Sequence, residues 1–247
     1  MNETVTPVTE DHILGGRLTL RQPAKGYRAG MDAALLAAAC DAGPGERVIE
    51  AGCGAGAVML AVVARRPEVR IVGIERDPDA LALAQQNLTL NGLTERAEAQ
   101  AGDVAEPAAR GDFDAALSNP PFFDDAAALR GPHPAKRGAY IADDGLAVWI
   151  HYLLRAVRDG GTLTVIHRAD RLADLLALLS AKAGSFQIRP VQPHTDEPAG
   201  RVIVRAVRGG KAPLRLLPAL ILHDRGGAKH TAEAEAILRG EADLPWL

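Results

Sequence analysis

Short apolar runs alternate with stretches of helical period along most of the chain, the arrangement expected of a parallel sheet covered on both faces. The runs that read as buried strands are Arg47 to Ala51, Arg70 to Glu75, Ala97 to Ala101, Phe113 to Ser118 and Thr162 to His167. Helical stretches fall at Ala57 to Arg65, Asp79 to Asn91, Gly145 to Val157 and Ala169 to Ala183. Asn91-Gly92 ends the second of these, since both residues tolerate the left-handed conformation at a helix C-terminus, and Pro67 closes the first. After Gly184 the rhythm changes. Ser185 to Val191 and Arg201 to Val207 read as strands joined by the turn segment His194 to Gly200, with no room for a helix, which predicts an antiparallel pair at a sheet edge. Leu214 to Leu222 predicts a further strand interrupted by Pro218, and Thr231 to Arg239 a closing helix. Ahead of the first core strand, Ile13 to Leu20 predicts a hairpin around Gly15-Gly16, and Asp32 is placed to cap a helix from Ala33 to Cys40.

These elements predict an α/β fold of Rossmann-like type: a largely parallel seven-stranded sheet with an antiparallel edge strand and short N-terminal and C-terminal additions. At 247 residues, 47% of them hydrophobic, the chain suits one large core. We expect residues 1–44 to form a hairpin and helix extension and 45–247 the main domain. No apolar run approaches the roughly 18 residues needed to cross a bilayer, and Met1 to Glu10 is polar and acidic, which predicts a cytoplasmic protein without a membrane partner. Cys40 and Cys53 suggest neither a disulfide framework nor a zinc site, and the seven histidines lack metal-ligand spacing, so no metal is expected.

The net charge of -3 gives no overall pull toward nucleic acid, but its distribution is uneven. Between Gly200 and His230 stand Arg201, Arg205, Arg208, Lys211, Arg215, Arg225 and Lys229 against one acid, Asp224. A second cluster is Arg130, His133, Lys136 and Arg137. Solvated surface accounts for such clusters, and so does an RNA partner.

The chemistry concentrates at two strand ends. Glu50-Ala51-Gly52-Cys53-Gly54-Ala55-Gly56 places a glycine-rich turn between a strand and a helix, where backbone N–H groups approach a ligand closely. Gly52-x-Gly54-x-x-Ala57 also satisfies a dinucleotide fingerprint, so a nicotinamide cofactor is the competing reading. Glu50, two residues before the first glycine, and the strict alternation of Gly52, Gly54 and Gly56 favour S-adenosylmethionine (SAM), whose cationic aminoacyl part suits a buried carboxylate. This stretch resembles the first motif of class I SAM methyltransferases. Glu75 ends the second strand, where an acid can accept both ribose hydroxyls. Asp103, followed by Val104, resembles the acid that binds the adenine amine in that class. Cys53 reads as a small residue tolerated in the loop.

Asn119-Pro120-Pro121-Phe122 follows the fourth strand. Adjacent prolines offer acceptors without competing N–H donors, which suits an amino group awaiting methylation. The Asn119 side-chain oxygen and the Pro120 carbonyl would accept the hydrogens of a planar nitrogen and direct its lone pair at the methyl donor, while Phe122 would stack on the acceptor. The alternative is that the prolines turn the chain and Phe122 fills the core.

With both motifs placed, the chain resembles the bacterial tRNA adenine N6-methyltransferases that modify adenosine 37 of a valine tRNA. The resemblance includes Tyr27 to Leu36, Ser118 to Phe123, the strand Gly200 to Val207 and the tail Leu220 to Leu238. It departs from the family at Met31, where Thr is common, and at Phe122, where many members carry Tyr. The resemblance implies SAM as cofactor and tRNA as partner; the basic clusters offer Arg130, Lys136, Arg137 and Arg201 as candidate RNA contacts. Release-factor glutamine N5-methyltransferases share an Asn-Pro-Pro run but place a longer helical domain before the core, where about 45 residues stand here. Ribosomal guanine N2-methyltransferases carry a degenerate duplicate domain, not seen in this sequence. A degenerate fold retained as an RNA-binding module would be expected to have eroded motifs, and these are intact.

Overall fold

A computed structural model describes residues 7–25, 28–107, 111–121 and 144–246. The sheet is built from β3 (Arg47–Ala51), β4 (Arg70–Glu75), β5 (Ala97–Ala101), β6 (Phe113–Ser118), β7 (Val157–Arg168), β8 (Ala183–Gln192) and β9 (Arg201–Arg208). Two short strands, β10 (Arg215–Leu216) and β11 (Leu220–Ile221), add to the outer side of β8. The order β8-β9-β7-β6-β3-β4-β5 is parallel except for β9, which runs antiparallel to both neighbours and so makes the pair with β8 at the sheet edge. Pro218 falls in the break between β10 and β11, where a residue without an N–H cannot continue the ladder.

Successive residues of one strand enter opposite cores, as a pleat of period two requires. Val48, Leu117, Ile166 and Ile203 join a cluster with α1 (Met31–Ala38), α2 (Ala57–Arg65), α3 (Pro78–Leu90) and α6 (Ala232–Leu238). Their chain neighbours Ile49, Ala116, Val165 and Val204 join the other cluster, with α4 (Asp144–Ala156) and α5 (Leu172–Leu179). The central strands β3 and β6 lack a polar face because helices cover both sides, whereas the edge strand β5 alternates buried and exposed residues.

Three local expectations change. Asp32 does not cap α1: Gly30 stands at the cap, and Asp32 lies in the first turn, where it accepts from Arg201 Nε at 3.0 Å. An acid there gains from the helix dipole as well as from the guanidinium. The hairpin is longer than its apolar signal, with β1 (Val8–Ile13) and β2 (Leu18–Pro23), because β1 is exposed or half-buried throughout and carries no apolar alternation. The stretch from Ala169 divides into a 3-10 turn, Ala169–Arg171, and α5, which ends at Leu179.

The hairpin docks by an arrangement that no motif announces. Asn87 and Asn91, one helical turn apart on α3, present their amides to the open edge of β2. Asn91 accepts from Thr19 N at 2.9 Å and donates to Thr19 O at 2.8 Å. Asn87 accepts from Arg21 N at 2.8 Å, donates to Arg21 O at 2.8 Å and donates again to Ala55 O at 2.9 Å. Two side-chain amides thus act as the missing strand.

Candidate active site

The parallel registers bring the chemistry to one edge. Ala51 pairs with Ile74 and with Ser118, and Glu75 with Ala101, so the carboxyl ends of β3, β4, β5 and β6 lie side by side. This is the edge at which open α/β sheets bind ligands.

The glycine loop leaves β3 through three left-handed residues, Gly52 (φ 70°), Gly54 (φ 55°) and Gly56 (φ 85°), and Gly56 becomes the N-cap of α2. Gly52 N and Cys53 N donate to Ile74 O at 2.9 and 3.0 Å, and Gly54 N donates to Glu75 Oε2 at 2.9 Å. The loop is therefore pinned to the end of β4. A Cβ at Gly56 would sit 3.4 Å from the Ala84 Cβ, whereas one at Gly54 would meet no described residue within 4 Å. The middle of the loop thus faces open space in which a ligand can approach the backbone.

Beneath it lies Glu50, only 2% exposed, with Oε2 buried and lacking a hydrogen-bond partner among the described residues. Burial pushes its carboxyl well above the usual range; the Met59 backbone N–H works against this and the Glu75 charge adds to it. Cys53 is buried as well, and desolvation pushes its thiol up, an environment that disfavours the thiolate.

Glu75 first serves the protein. Besides Gly54, its carboxylate accepts from Arg76 N at 2.9 Å and Asp77 N at 2.8 Å through Oε1. Three of the roughly four acceptor sites of a carboxylate are thus taken, and the one left on Oε2 suits one hydroxyl. Asp103 caps its own turn, accepting from Ala105 N at 2.9 Å, and Oδ2 lies 3.8 Å from Arg76 Nη1. Val104, like Val72 and Ile74, is half-buried against the same apolar cluster.

On the other side of β3, Ser118 is buried and donates through Oγ to Ala51 O at 3.1 Å. Asn119 is half-buried, Pro120 buried and Pro121 half-buried. Since Ser118 pairs with Ala51, Asn119 and Gly52 leave neighbouring strands at the same level, separated by about one strand spacing of 4.8 Å. Phe122, Arg130, Lys136 and Arg137 lie outside the described residues. Arg201 stands at the start of β9, paired with Asp32 and also donating to Gly200 O at 3.1 Å.

Two residues that sequence reasoning passed over belong to the loop's support. Asn87 holds Ala55 O, as above. Trp149 of α4 approaches Gly52 so closely that a Cβ there would lie 2.2 Å from Cη2 and 2.4 Å from Cζ3 of the indole. The available signal was its place three residues after Leu146 and next to Ile150, both buried, on the apolar face of that helix.

Among the described residues no group of His, Cys, Asp or Glu could hold a metal ion, and no helix is long and apolar enough to cross a membrane.

Residues 28–130 match the family described as Methyltransferase small domain. A release factor glutamine methyltransferase of Caulobacter vibrioides is 30% identical over 178 residues, covering 68% of this chain and 58% of that protein. A tRNA1(Val) (adenine(37)-N6)-methyltransferase of Actinobacillus succinogenes is 29% identical over 147 residues, covering 58% and 62%. The chain thus spans less than two thirds of either relative's length. A crystal structure from Agrobacterium tumefaciens, described as a predicted O-methyltransferase, superposes with a TM-score of 0.73 at 25% identity, covering 86% of this chain and 98% of that one. The cofactor that goes with this family and fold is SAM, and the open face at Gly54 and the unpartnered oxygen of Glu50 fit it. The chain matches the methyltransferase small domain family over residues 28–130 and has the class I SAM-dependent methyltransferase fold.

Proposed function

We propose that this protein is a SAM-dependent N-methyltransferase acting on the exocyclic N6 of an adenine in tRNA, beside the anticodon. The observation that carries the reading is the Asn119-Pro120-Pro121 turn at the end of β6, one strand from the glycine loop and level with it. SAM supplies an electrophilic methyl group when bound. The loop from Gly52 to Gly56 and Glu50 would hold its aminoacyl part, Glu75 a ribose hydroxyl, and Asp103 with Val104 the adenine. Glu50 is suited to an ammonium because its buried Oε2 has no hydrogen-bond partner among the described residues and burial penalises its charge until a cation arrives.

At the other side, Asn119 and the Pro120 carbonyl accept the hydrogens of the target amine. They point its lone pair at the methyl carbon and stabilise positive charge as it develops on nitrogen; the surplus proton then passes to water. Phe122 would stack on the base. No strong base is required, and positioning supplies the rate.

The tRNA reading is favoured over release-factor glutamine by the segments outside the shared core. The lead-in through Asp32 and the strand from Arg201, both part of the resemblance to the tRNA enzymes, are tied by the 3.0 Å Arg201–Asp32 pair. Glutamine N5 is the second reading because a relative with that name aligns over 68% of this chain.

The test offers labelled SAM and purified protein to total tRNA, ribosomal RNA, DNA and release factor in parallel, followed by mass spectrometry of the labelled product. Label in N6-methyladenosine of tRNA is expected. Label confined to release factor establishes the glutamine reading instead, and label in ribosomal guanine displaces both.

A further inference from the structure

We infer that Trp149 is a positioning residue of the cofactor pocket, the surface against which the first glycine of the loop is seated; the inference rests on the SAM reading above.

Gly52 has left-handed φ of 70°, and the direction in which a side chain would leave it is filled by the six-membered ring of Trp149. The ring edge therefore touches the Gly52 backbone. Val72 and Ile74 of β4, Val104 after β5 and Trp149 all pack on the same buried apolar cluster. The first two precede Glu75, and the third follows Asp103. The indole thus backs the first glycine of the loop and is anchored on the core cluster that these residues also cover. Trp149 is only half-buried, and it makes no hydrogen bond through Nε1 to a described residue. The chain's other tryptophan, Trp246, donates its Nε1 to Ala39 O at 2.7 Å, at a different place in the fold. An aromatic of this size presents a rigid surface with few rotatable bonds. Removing it would leave Gly52 free to relax into the vacated space and the loop amides misdirected.

The two tryptophans make the test specific. In Trp246→Phe protein, where Trp149 is the sole indole, titration with SAM should change the emission, while in Trp149→Phe protein the change should vanish with binding retained. By equilibrium dialysis, Trp149→Ala should weaken SAM binding about 10- to 50-fold and Trp149→Phe less than about 5-fold, the smaller ring restoring the support. Circular dichroism establishes that each variant is folded. Should the alanine variant prove unfolded, the phenylalanine variant and the single-indole emission decide alone. Wild-type affinity in folded Trp149→Ala, or an emission unmoved by saturating SAM in Trp246→Phe, overturns the inference. Wild-type protein that binds no SAM at all overturns the cofactor reading instead.

Discussion

Asn119 offers the sharpest single-residue test because it separates holding the cofactor from gripping the amine. Replacing it with Ala should lower turnover about 10³-fold while SAM affinity stays within roughly 3-fold, and Asp, which keeps an acceptor, should fall between the two. Single-turnover rates and equilibrium dialysis on the same preparations check this; activity retained in the alanine variant removes the turn from the mechanism. His167 bears on stability instead. At the end of β7, 2% exposed, its pKa is pushed down to about 4 from 6.5, by burial first and then by Arg171, Arg168 and Arg201. The folded state therefore refuses a proton that the unfolded chain accepts below pH 6.5. The corresponding stability is whole above that pH and is lost as the pH falls toward 4, amounting to about 2 kcal/mol by pH 5. Urea melts at pH 7 and pH 5 should show a smaller drop for His167→Asn than for wild type. An equal drop would mean that the titration lies elsewhere.

Strands and helices of the core were legible because parallel strands buried on both faces read as apolar runs, and glycine, proline and asparagine punctuate them. β3 to β6 and α2 begin and end where the residue pattern places them. Contacts between elements distant in sequence were not legible. Asp32 looks like a helix cap until Arg201, 169 residues away, claims its carboxylate. Trp149 looks like an apolar helix residue until the fold sets it on Gly52, and Asn87 looks like a polar residue inside a helix until β2 arrives beside it. Of the candidate site, the loop and the three acids could be named as candidates from the sequence, whereas what supports them could not. Asn87 gives the element-scale prediction. It is fully buried and makes three hydrogen bonds joining α3, β2 and the glycine loop. Asn87→Ala would strand the Arg21 and Ala55 backbone groups and should destabilise the protein by about 2–4 kcal/mol, against about 1 kcal/mol for the less buried Asn91→Ala. Denaturation midpoints of the two variants decide, and equal effects would deny Asn87 its place as the joint.

At the scale of the whole molecule, the tail from Ala242 to Trp246 connects parts that the sheet alone would leave independent. Arg65, buried near the end of α2, donates to Ala242 O at 2.8 Å and to Ile237 O, and pairs with Asp243 at 3.4 Å. From the sheet side, Arg189 of β8 donates to Pro218 O at 3.0 Å and Pro245 O at 2.7 Å. Leu244 N and Trp246 Nε1 then fasten the same stretch to Ala38 O and Ala39 O at the end of α1. Buried guanidinium groups are tolerated here because carbonyl oxygens accept hydrogen bonds from their N–H groups, and burial lowers the pKa of both Arg65 and Arg189. A strap held at both ends predicts coupling between its fastenings, since once one is released the other holds a segment already free to move. Arg189→Ala and Trp246→Ala should each lower stability by roughly 1–3 kcal/mol, and the double variant should lose about 1 kcal/mol less than the two effects added. SAM affinity should change less than about 3-fold in all three proteins, because the loop is pinned by its own bonds to Ile74, Glu75 and Asn87. Strict additivity in urea denaturation would show that the two residues anchor separate pieces of the molecule.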